Sequence, residues 1–297
     1  MNTFGLFIGL CNLDIIYYSD TQMPGDNCKK KITDYRMAVG GPAANAAITY
    51  SLLGGEAYLY TAIGNSPMGR MLKQMLGEQG VQVMDVAEAE EAVNCNVSCI
   101  HVNTASGDRT ILSGQAGRTV GEEFLTQLSD FVENCAFVLY DGNLPGVEEE
   151  LVTQVSRCKR ELVLDAGSYK PGFATCFGVA PTVISSESFV DDAGNDVFAL
   201  NAIHNFNRCA QTRGASSLRY ERDGQICEHP VRSAAAVDTL GAGDIFHGAY
   251  CYFKYVQNLS FEEALSGAAD VASYTVEKRG VIDGLLYAKT MLDKDNQ

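Results

Sequence analysis

Residues 237–250 read "VDTLGAGDIFHGAY". Gly241, Ala242 and Gly243 stand directly before Asp244, and their lack of bulk lets main-chain N–H groups approach a ligand closely. Apolar residues then recur at 245, 246, 249, 250, 253 and 256, a helical spacing. The three N–H groups therefore lie at a helix N-terminus, where unpaired donors and the helix dipole favour an anion. A transferring phosphoryl group is such an anion. Asp244 falls in the first helical turn, which favours its ionised form. An ionised carboxylate beside a phosphoryl site can take a proton from an attacking hydroxyl. An aspartate of ordinary pKa, about 4, is a weak base, which suffices when the transition state is loose and the proton leaves late. GxGD alone also fits an ordinary glycine-rich turn into a helix; the full DTLGAGD is longer and more constrained.

The elements that must position these groups alternate along the chain. Short apolar runs at 4–10, 57–64, 136–142, 161–167 and 182–187 read as buried strands. Helical patterns at 41–55, 67–80, 146–158 and 196–207 separate them, the first two with Pro near the start and Gly at the end. This rhythm predicts a mainly parallel sheet with helices on both faces. Residues 208–231 carry antiparallel signals, and two longer helices follow near 243–257 and 260–278. Two segments, 11–39 and 93–113, alternate like strands with no helix between. The second contains "NVSCIHVNTASGDRTILS", a hairpin pattern with Ser-Gly-Asp at its turn. They read either as surface decoration or as a small sheet covering a site at the strand ends. The whole of 1–297 is expected to be one domain, with these segments inserted.

Composition narrows the function. A formal charge of -15 disfavours nucleic acid and anionic membrane surfaces as partners. It leaves room for a small anionic ligand held by backbone N–H groups and a metal ion. The start lacks a basic segment and a cleavage-like ending, and no apolar run reaches the about 18 residues of a membrane span, so a cytoplasmic protein is expected. The ten cysteines are scattered, with no CxxC. Cys95 and Cys99 could form a metal or redox site, but small buried hydrophobes in a reducing compartment fit better. The four histidines do not cluster.

"VDTLGAGDIFHGAY" resembles the second signature of the PfkB, or ribokinase-like, carbohydrate kinase family. "VGGPAANAAITYSLLGG" (39–55) resembles that family's N-terminal GG-x-x-x-N-x-A signature, and "GLCNLD" follows the first strand as it does there. The resemblance runs from about Phe4 to the last helix. It implies an α/β three-layer sandwich with a mainly parallel central sheet and a small projecting β-lid at 11–39 and 93–113. It also implies ATP-dependent phosphorylation of a sugar hydroxyl, with Asp244 as base and Gly241, Ala242 and Gly243 as anion hole. Asp14, with Asn12 beside it, matches the aspartate that binds sugar hydroxyls, and Gly41 and Asn45 match further substrate contacts.

Thr212 and Gly214 match a TxGxxG-like stretch that lines the nucleotide, where Ser217 replaces the last glycine. Magnesium is expected with ATP. Its water shell is assigned to Glu187 of "ISSE", where Ile184 stands in place of the usual Asn, and to Asp165 of "VLDAG". Some members bind a monovalent cation, K+, through carbonyls near the anion hole; Asp238 and residues 277–281 occupy the matching regions. The lid closes over sugar in related enzymes and in some mediates homodimers. "DIFHGAY" and "GGPAANAA" lean toward the ketohexokinase and sulfofructose-kinase branch, since Pro42 replaces a lysine common in ribokinases. His247 belongs to that look, either as a helix residue near the site or as a substrate contact.

Two other readings stay open. A nucleoside kinase of the same fold would use Tyr17 or Tyr18 to stack on a base, although alternation points them to opposite faces. A non-catalytic sugar- or nucleotide-binding regulator would fit the Ser217 and Ile184 departures, and turnover separates it from a kinase. No P-loop, protein-kinase or dinucleotide signature occurs.

Overall fold

The computed structural model describes residues 4–21, 25, 27–29, 31–32, 34–87, 94–105, 109–114 and 120–295. The Ser-Gly-Asp turn expected at 106–108 lies outside them, as do residues 22–24, 26, 30, 33 and 93 of the two inserted segments.

In chain order the strands are β1 (Phe4–Ile8), β2 (Asn12–Ser19), β3 (Asp34–Gly40), β4 (Glu56–Thr61), β5 (Val81–Asp85), β6 (Asn96–Asn103) and β7 (Arg109–Gly114). They continue with β8 (Cys135–Tyr140), β9 (Glu161–Ala166), β10 (Thr182–Ser186), β11 (Arg208–Arg213), β12 (Ser216–Arg222) and β13 (Gln225–His229). The helices are α1 (Pro42–Leu53), α2 (Pro67–Glu78), α3 (Glu122–Asn134), α4 (Glu148–Cys158) and α5 (Phe173–Cys176). After them come α6 (Val197–His204), α7 (Ala242–Cys251), α8 (Phe261–Thr275) and α9 (Val281–Asp295). A wider π-helical turn over Tyr252–Val256 prolongs α7, so the helix expected to 257 is present with a change of winding.

Nine strands form the main sheet in the order β13-β12-β11-β10-β9-β8-β1-β4-β5. From β11 to β5 every pairing is parallel; β12 and β13 add an antiparallel edge. Alternation sends side chains to opposite faces. Phe7, Phe137 and Leu139 enter one core with α1, α2, α7, α8 and α9. Leu6, Ile8, Val138 and Tyr140 enter the other with α3 to α6. Buried on both faces, these strands read as continuous apolar runs. This is the expected three-layer α/β arrangement.

A second sheet of four strands has the order β3-β2-β6-β7. The chain passes into it from the end of β1 through residues 9–11. β2 pairs parallel with β6 and antiparallel with β3, and β6 pairs antiparallel with β7. Tyr18 is buried and Tyr17 is half-buried, in line with their opposite directions along the strand. All ten cysteines are free, and Cys95 is buried. Among the described residues no helix is long and apolar enough to cross a membrane.

Candidate active site

The N-terminus of α7 is set by its crossing with α1. A Cβ on Gly248 would stand 2.3 Å from the carbonyl oxygen of Ala46, so only glycine permits this approach. One turn away, Asn45 Nδ2 donates to Asp244 Oδ2 at 2.8 Å. Residues 199 positions apart in the chain thereby share one hydrogen bond. Gly241 caps α7 in the left-handed conformation, at φ 74°, and Ile245 N donates to its carbonyl at 2.9 Å.

Asp244 differs from its expectation. A first-turn position favours the carboxylate, yet the side chain is pushed up to about 7. Burial is the largest cause and the nearby Asp165 carboxylate the next; Asn45 and His247 pull the other way, and Asp141 adds a small push up. Desolvation and like charge outweigh the helix terminus. A carboxylate poised near neutrality is a better proton acceptor than an ordinary aspartate.

Asn12 and Asp14 lie at the start of β2. Asn12 Nδ2 donates to Asp14 Oδ1 and, at 3.0 Å, to Ser98 Oγ of β6. Burial raises Asp14 to about 6, opposed by the hydrogen bonds from Asn12 and Ser98. Gly41 precedes α1 at φ 99°, and a Cβ there would meet the Leu10 carbonyl oxygen at 2.3 Å. Asp141, not singled out in the sequence, fastens this corner. Its carboxylate accepts from Leu10 N at 2.9 Å, Ala43 N at 3.1 Å and Asn143 N at 2.8 Å. It follows the apolar run of β8 directly and precedes Gly142, an acid at a buried strand's end, which was the available signal.

On the other side of the α7 N-terminus opens a cavity of about 610 Å³. Ala242 and Gly243 line it together with Glu187, Thr212, Gly214 and Thr239. Its wall toward α8 is apolar, with Val231, Ala269, Ala272 and Val276. Such a slot with a few polar groups at one end suits a flat ring carrying a charged tail. Arg109 of β7, another residue the sequence did not mark, reaches across to Thr239 Oγ1 at 2.9 Å. Ser217 lies outside the residues that line the cavity.

The two acidic residues expected near magnesium part company. Glu187 lines the cavity, with Arg213 Nε at 3.9 Å. Asp165 does not line it: its Oδ2 is buried without a hydrogen bond and faces His247 Nδ1 at 3.4 Å. No group of three or more His, Cys, Asp or Glu side chains able to hold a metal occurs among the described residues. Glu187 is the acidic side chain among those lining the cavity, and one carboxylate fits a magnesium ion that keeps most of its water and phosphate ligands. Asp238 uses both carboxylate oxygens on backbone, accepting from Leu240 N and Gly280 N, each at 3.0 Å. Its side chain ties the motif to the 277–281 loop.

A half-polar corner, an anion-accepting helix N-terminus, a poised carboxylate and an adjoining cavity, all at the carboxyl ends of parallel strands, define a phosphoryl-transfer site on a doubly wound sheet. The chain belongs to the pfkB family of carbohydrate kinases, whose profile matches residues 3–184 and 188–287. Ribokinase of Dictyostelium discoideum is 23% identical over 301 residues, covering 92% of this chain and 94% of that protein. Deoxyribokinase of Salmonella typhi is 22% identical over 293 residues, covering 92% of each. Among solved structures, ribokinase of Giardia lamblia superimposes with a TM-score of 0.82 at 16% identity, covering 99% of this chain and 100% of that one. Arabidopsis thaliana ribokinase complexed with ribose and ATP gives 0.78 at 18% identity, covering 99% and 98%. At these identities the superpositions establish the fold.

Proposed function

We propose that this enzyme transfers the γ-phosphoryl group of ATP to a hydroxyl of a sugar, with Asp244 as base. The carrying observation is the junction at α7. Asp244 is held by Asn45 at 2.8 Å, and the next residue toward the N-terminus, Gly243, lines the cavity. The sugar lies on the Asn12 and Asp14 side and the nucleotide in the cavity. Asp244 removes the proton from the hydroxyl as its oxygen bonds to the γ-phosphorus. The bond from phosphorus to the bridging oxygen breaks, and ADP leaves. The N–H groups of Gly241, Ala242 and Gly243 face the charge on the transferring group.

Asp14, Asn12 and Asn45 hold neighbouring hydroxyls. Asn45 Oδ1 is buried without a partner in the free site, an acceptor suited to such a hydroxyl. Gly41 lets the sugar lie against backbone. Thr212 and Gly214 flank the nucleotide. Glu187 would hold the water shell of magnesium, which when bound would neutralise the phosphate oxygens. K+ would bind carbonyls of the loop that Asp238 fastens.

The four-stranded sheet acts as the lid, and Arg109 links it to Thr239. Its outer face supports a homodimer: Met37, Ile15, Cys99 and Leu112 are aligned across the strands, and Met37 and Leu112 are exposed. The relatives named above make ribose and deoxyribose the first acceptors to try, and the ketohexoses suggested by the sequence come next. The cytoplasm fits a kinase that draws on ATP.

The test is ATP consumption with magnesium over pentoses, ketohexoses and nucleosides, for the wild type and Asp244→Asn. Turnover on a sugar, lost in the variant, supports the assignment. Turnover on nucleosides alone redirects it, and binding without turnover favours a regulator.

A further inference from the structure

Arg109 opens β7 at one edge of the small sheet. Pairing sets it opposite Val102, and Val102 opposite Tyr18, so these residues share the face of the sheet that also carries Asp14. Ile16, Tyr18 and Ile100 of that face pack with Leu240, the neighbour of Thr239 in the turn before α7. At the opposite edge, Arg36 of β3 donates to the carbonyl oxygen of Arg279 at 3.3 Å and meets Asp283 at 3.4 Å. The sheet is thus docked on the turn, and Arg109 Nη2 donates to Thr239 Oγ1 at 2.9 Å. Thr239 lines the cavity beside Ala242 and Gly243. Its carbonyl oxygen accepts from Ala242 N at 3.3 Å, so it belongs to the same turn as the anion hole.

A phosphoryl group in transit spreads negative charge over its oxygens, and this chain carries -15 overall. Two arginines line the cavity, and both are paired. Arg213 lies 3.2 Å from Glu228 and 3.9 Å from Glu187. Arg232 lies 2.8 Å from Glu277, with its guanidinium 4.0 Å from the centre of the Tyr274 ring. Among the described residues no lysine lines the cavity. Of Arg109, Arg213 and Arg232, Arg109 alone meets no carboxylate among the described residues. A guanidinium presents its N–H donors as a planar fork, and a threonine hydroxyl takes only one of them. A phosphate takes the fork bidentately and binds more strongly than a neutral hydroxyl. The Arg109 side chain is exposed, so moving off Thr239 breaks no buried contact.

We propose that Arg109 is a catalytic residue carried by the small sheet, which turns from Thr239 onto the terminal phosphate of ATP and holds the phosphoryl group during transfer. The inference rests on the reading of this site as an ATP-dependent kinase. In the step, the acceptor oxygen bonds to the γ-phosphorus and gives its proton to Asp244. The bond from phosphorus to the bridging oxygen breaks, and its electron pair leaves with ADP. Arg109 exchanges no proton; its N–H groups donate to oxygens of the group in transit. Asn12 and Asp14 lie on the same sheet, so one element contacts both reactants.

The experiment compares Arg109→Gln, Arg109→Ala and Arg36→Gln with wild type. Calorimetry gives the Kd for ATP and for ADP without acceptor, and steady-state assays give kcat and both KM values on the sugar that the wild type uses. Arg109→Gln should weaken ATP at least about fivefold and leave ADP within about twofold, because ADP lacks the phosphate that is held. Its kcat should fall at least about tenfold, the size of one lost charge-assisted contact to a transferring group, with the sugar KM within about twofold. Added guanidinium ion should raise the kcat of Arg109→Ala at least about threefold, a rescue that a latch of the sheet would not show. Arg36→Gln, which loosens the other edge of the sheet, should keep kcat and the ratio of ATP to ADP affinity within about twofold. Equal losses in Arg36→Gln and Arg109→Gln overturn the inference, as does equal weakening of ATP and ADP in Arg109→Gln. A wild-type kcat in Arg109→Gln overturns it as well. The binding arm needs no turnover. If the wild type phosphorylates no sugar, the kinase reading fails, and the ratio of ATP to ADP affinity still decides whether Arg109 holds the terminal phosphate.

Discussion

Replacing Asp244 with Asn should abolish turnover and, at the same time, stabilise the protein in a pH-dependent way. The carboxyl group is shifted from 3.8 to about 7 on folding, first by burial and then by Asp165. Between those two values the native state holds a proton that the unfolded chain has released. Wild-type stability therefore falls as pH rises through that window, and is lowest above it. Integrated at about 1.36 kcal/mol per unit, the ceiling is about 4 kcal/mol above pH 8. Roughly 1.7 of that is already spent at pH 5, so about 2.6 kcal/mol separates pH 5 from pH 8. Solvent reaches the open side of the half-buried carboxylate, and half of this difference, about 1.3 kcal/mol, is the expected gain. For a chain of this size that corresponds to about 2 °C. Thermal melts of wild type and Asp244→Asn at both pH values, beside an ATP-consumption assay, make the measurement. An inactive variant whose melting advantage is the same at pH 5 and pH 8 would refute the claim that burial and Asp165 set the state of this carboxylate.

Three further outcomes follow from the geometry. Gly248→Ala puts a Cβ 2.3 Å from the Ala46 carbonyl oxygen, so α1 and α7 must separate; a loss of about 1–3 kcal/mol in denaturant titrations is expected, with a lower kcat because Asn45 leaves Asp244. Ala272→Leu fills the apolar wall of the cavity, and should raise the KM for ATP at least about tenfold while the sugar KM stays within about twofold. Leu112→Glu places a charge on the exposed apolar face of the small sheet, where Leu112 is 60% exposed; if the proposed homodimer forms through this face, light scattering should find a dimer in the wild type and a monomer in the variant, and a monomeric wild type would refute the proposal.

Much of the architecture was legible because local patterns and global fold agree. Apolar runs such as 136–142 and 161–167 are continuous because both faces of β8 and β9 meet helices. The start of α7 could be read from three small residues before an apolar repeat. Other elements escaped notice for distinct reasons. β5 is a five-residue edge strand in which exposed Gln82 and half-buried Val83 and Met84 follow a buried Val81, and so presents no apolar run. In α9, Leu285 and Ala288 are its buried apolar residues, too few to show a stripe. α3 was not among the expected helices, although Phe124, Leu125, Leu128, Phe131 and Val132 recur at spacings of three and four.

At the site, the sequence by itself determined which groups are present and that Asp244 stands at a helix N-terminus beside a bare backbone. The chemical state of those groups was decided by the tertiary structure. Local position favours an ionised Asp244, but burial and Asp165, brought in from another strand, hold it near neutrality. The contact from Asn45 exists because two helices cross at Gly248. Asp165, read in the sequence as a strand-end acid near the metal shell, is brought within 3.4 Å of a histidine on α7. Residue type and local spacing fix what a side chain can do. Desolvation and Coulomb forces depend on distances through space, and those are set when the sheet and helices pack.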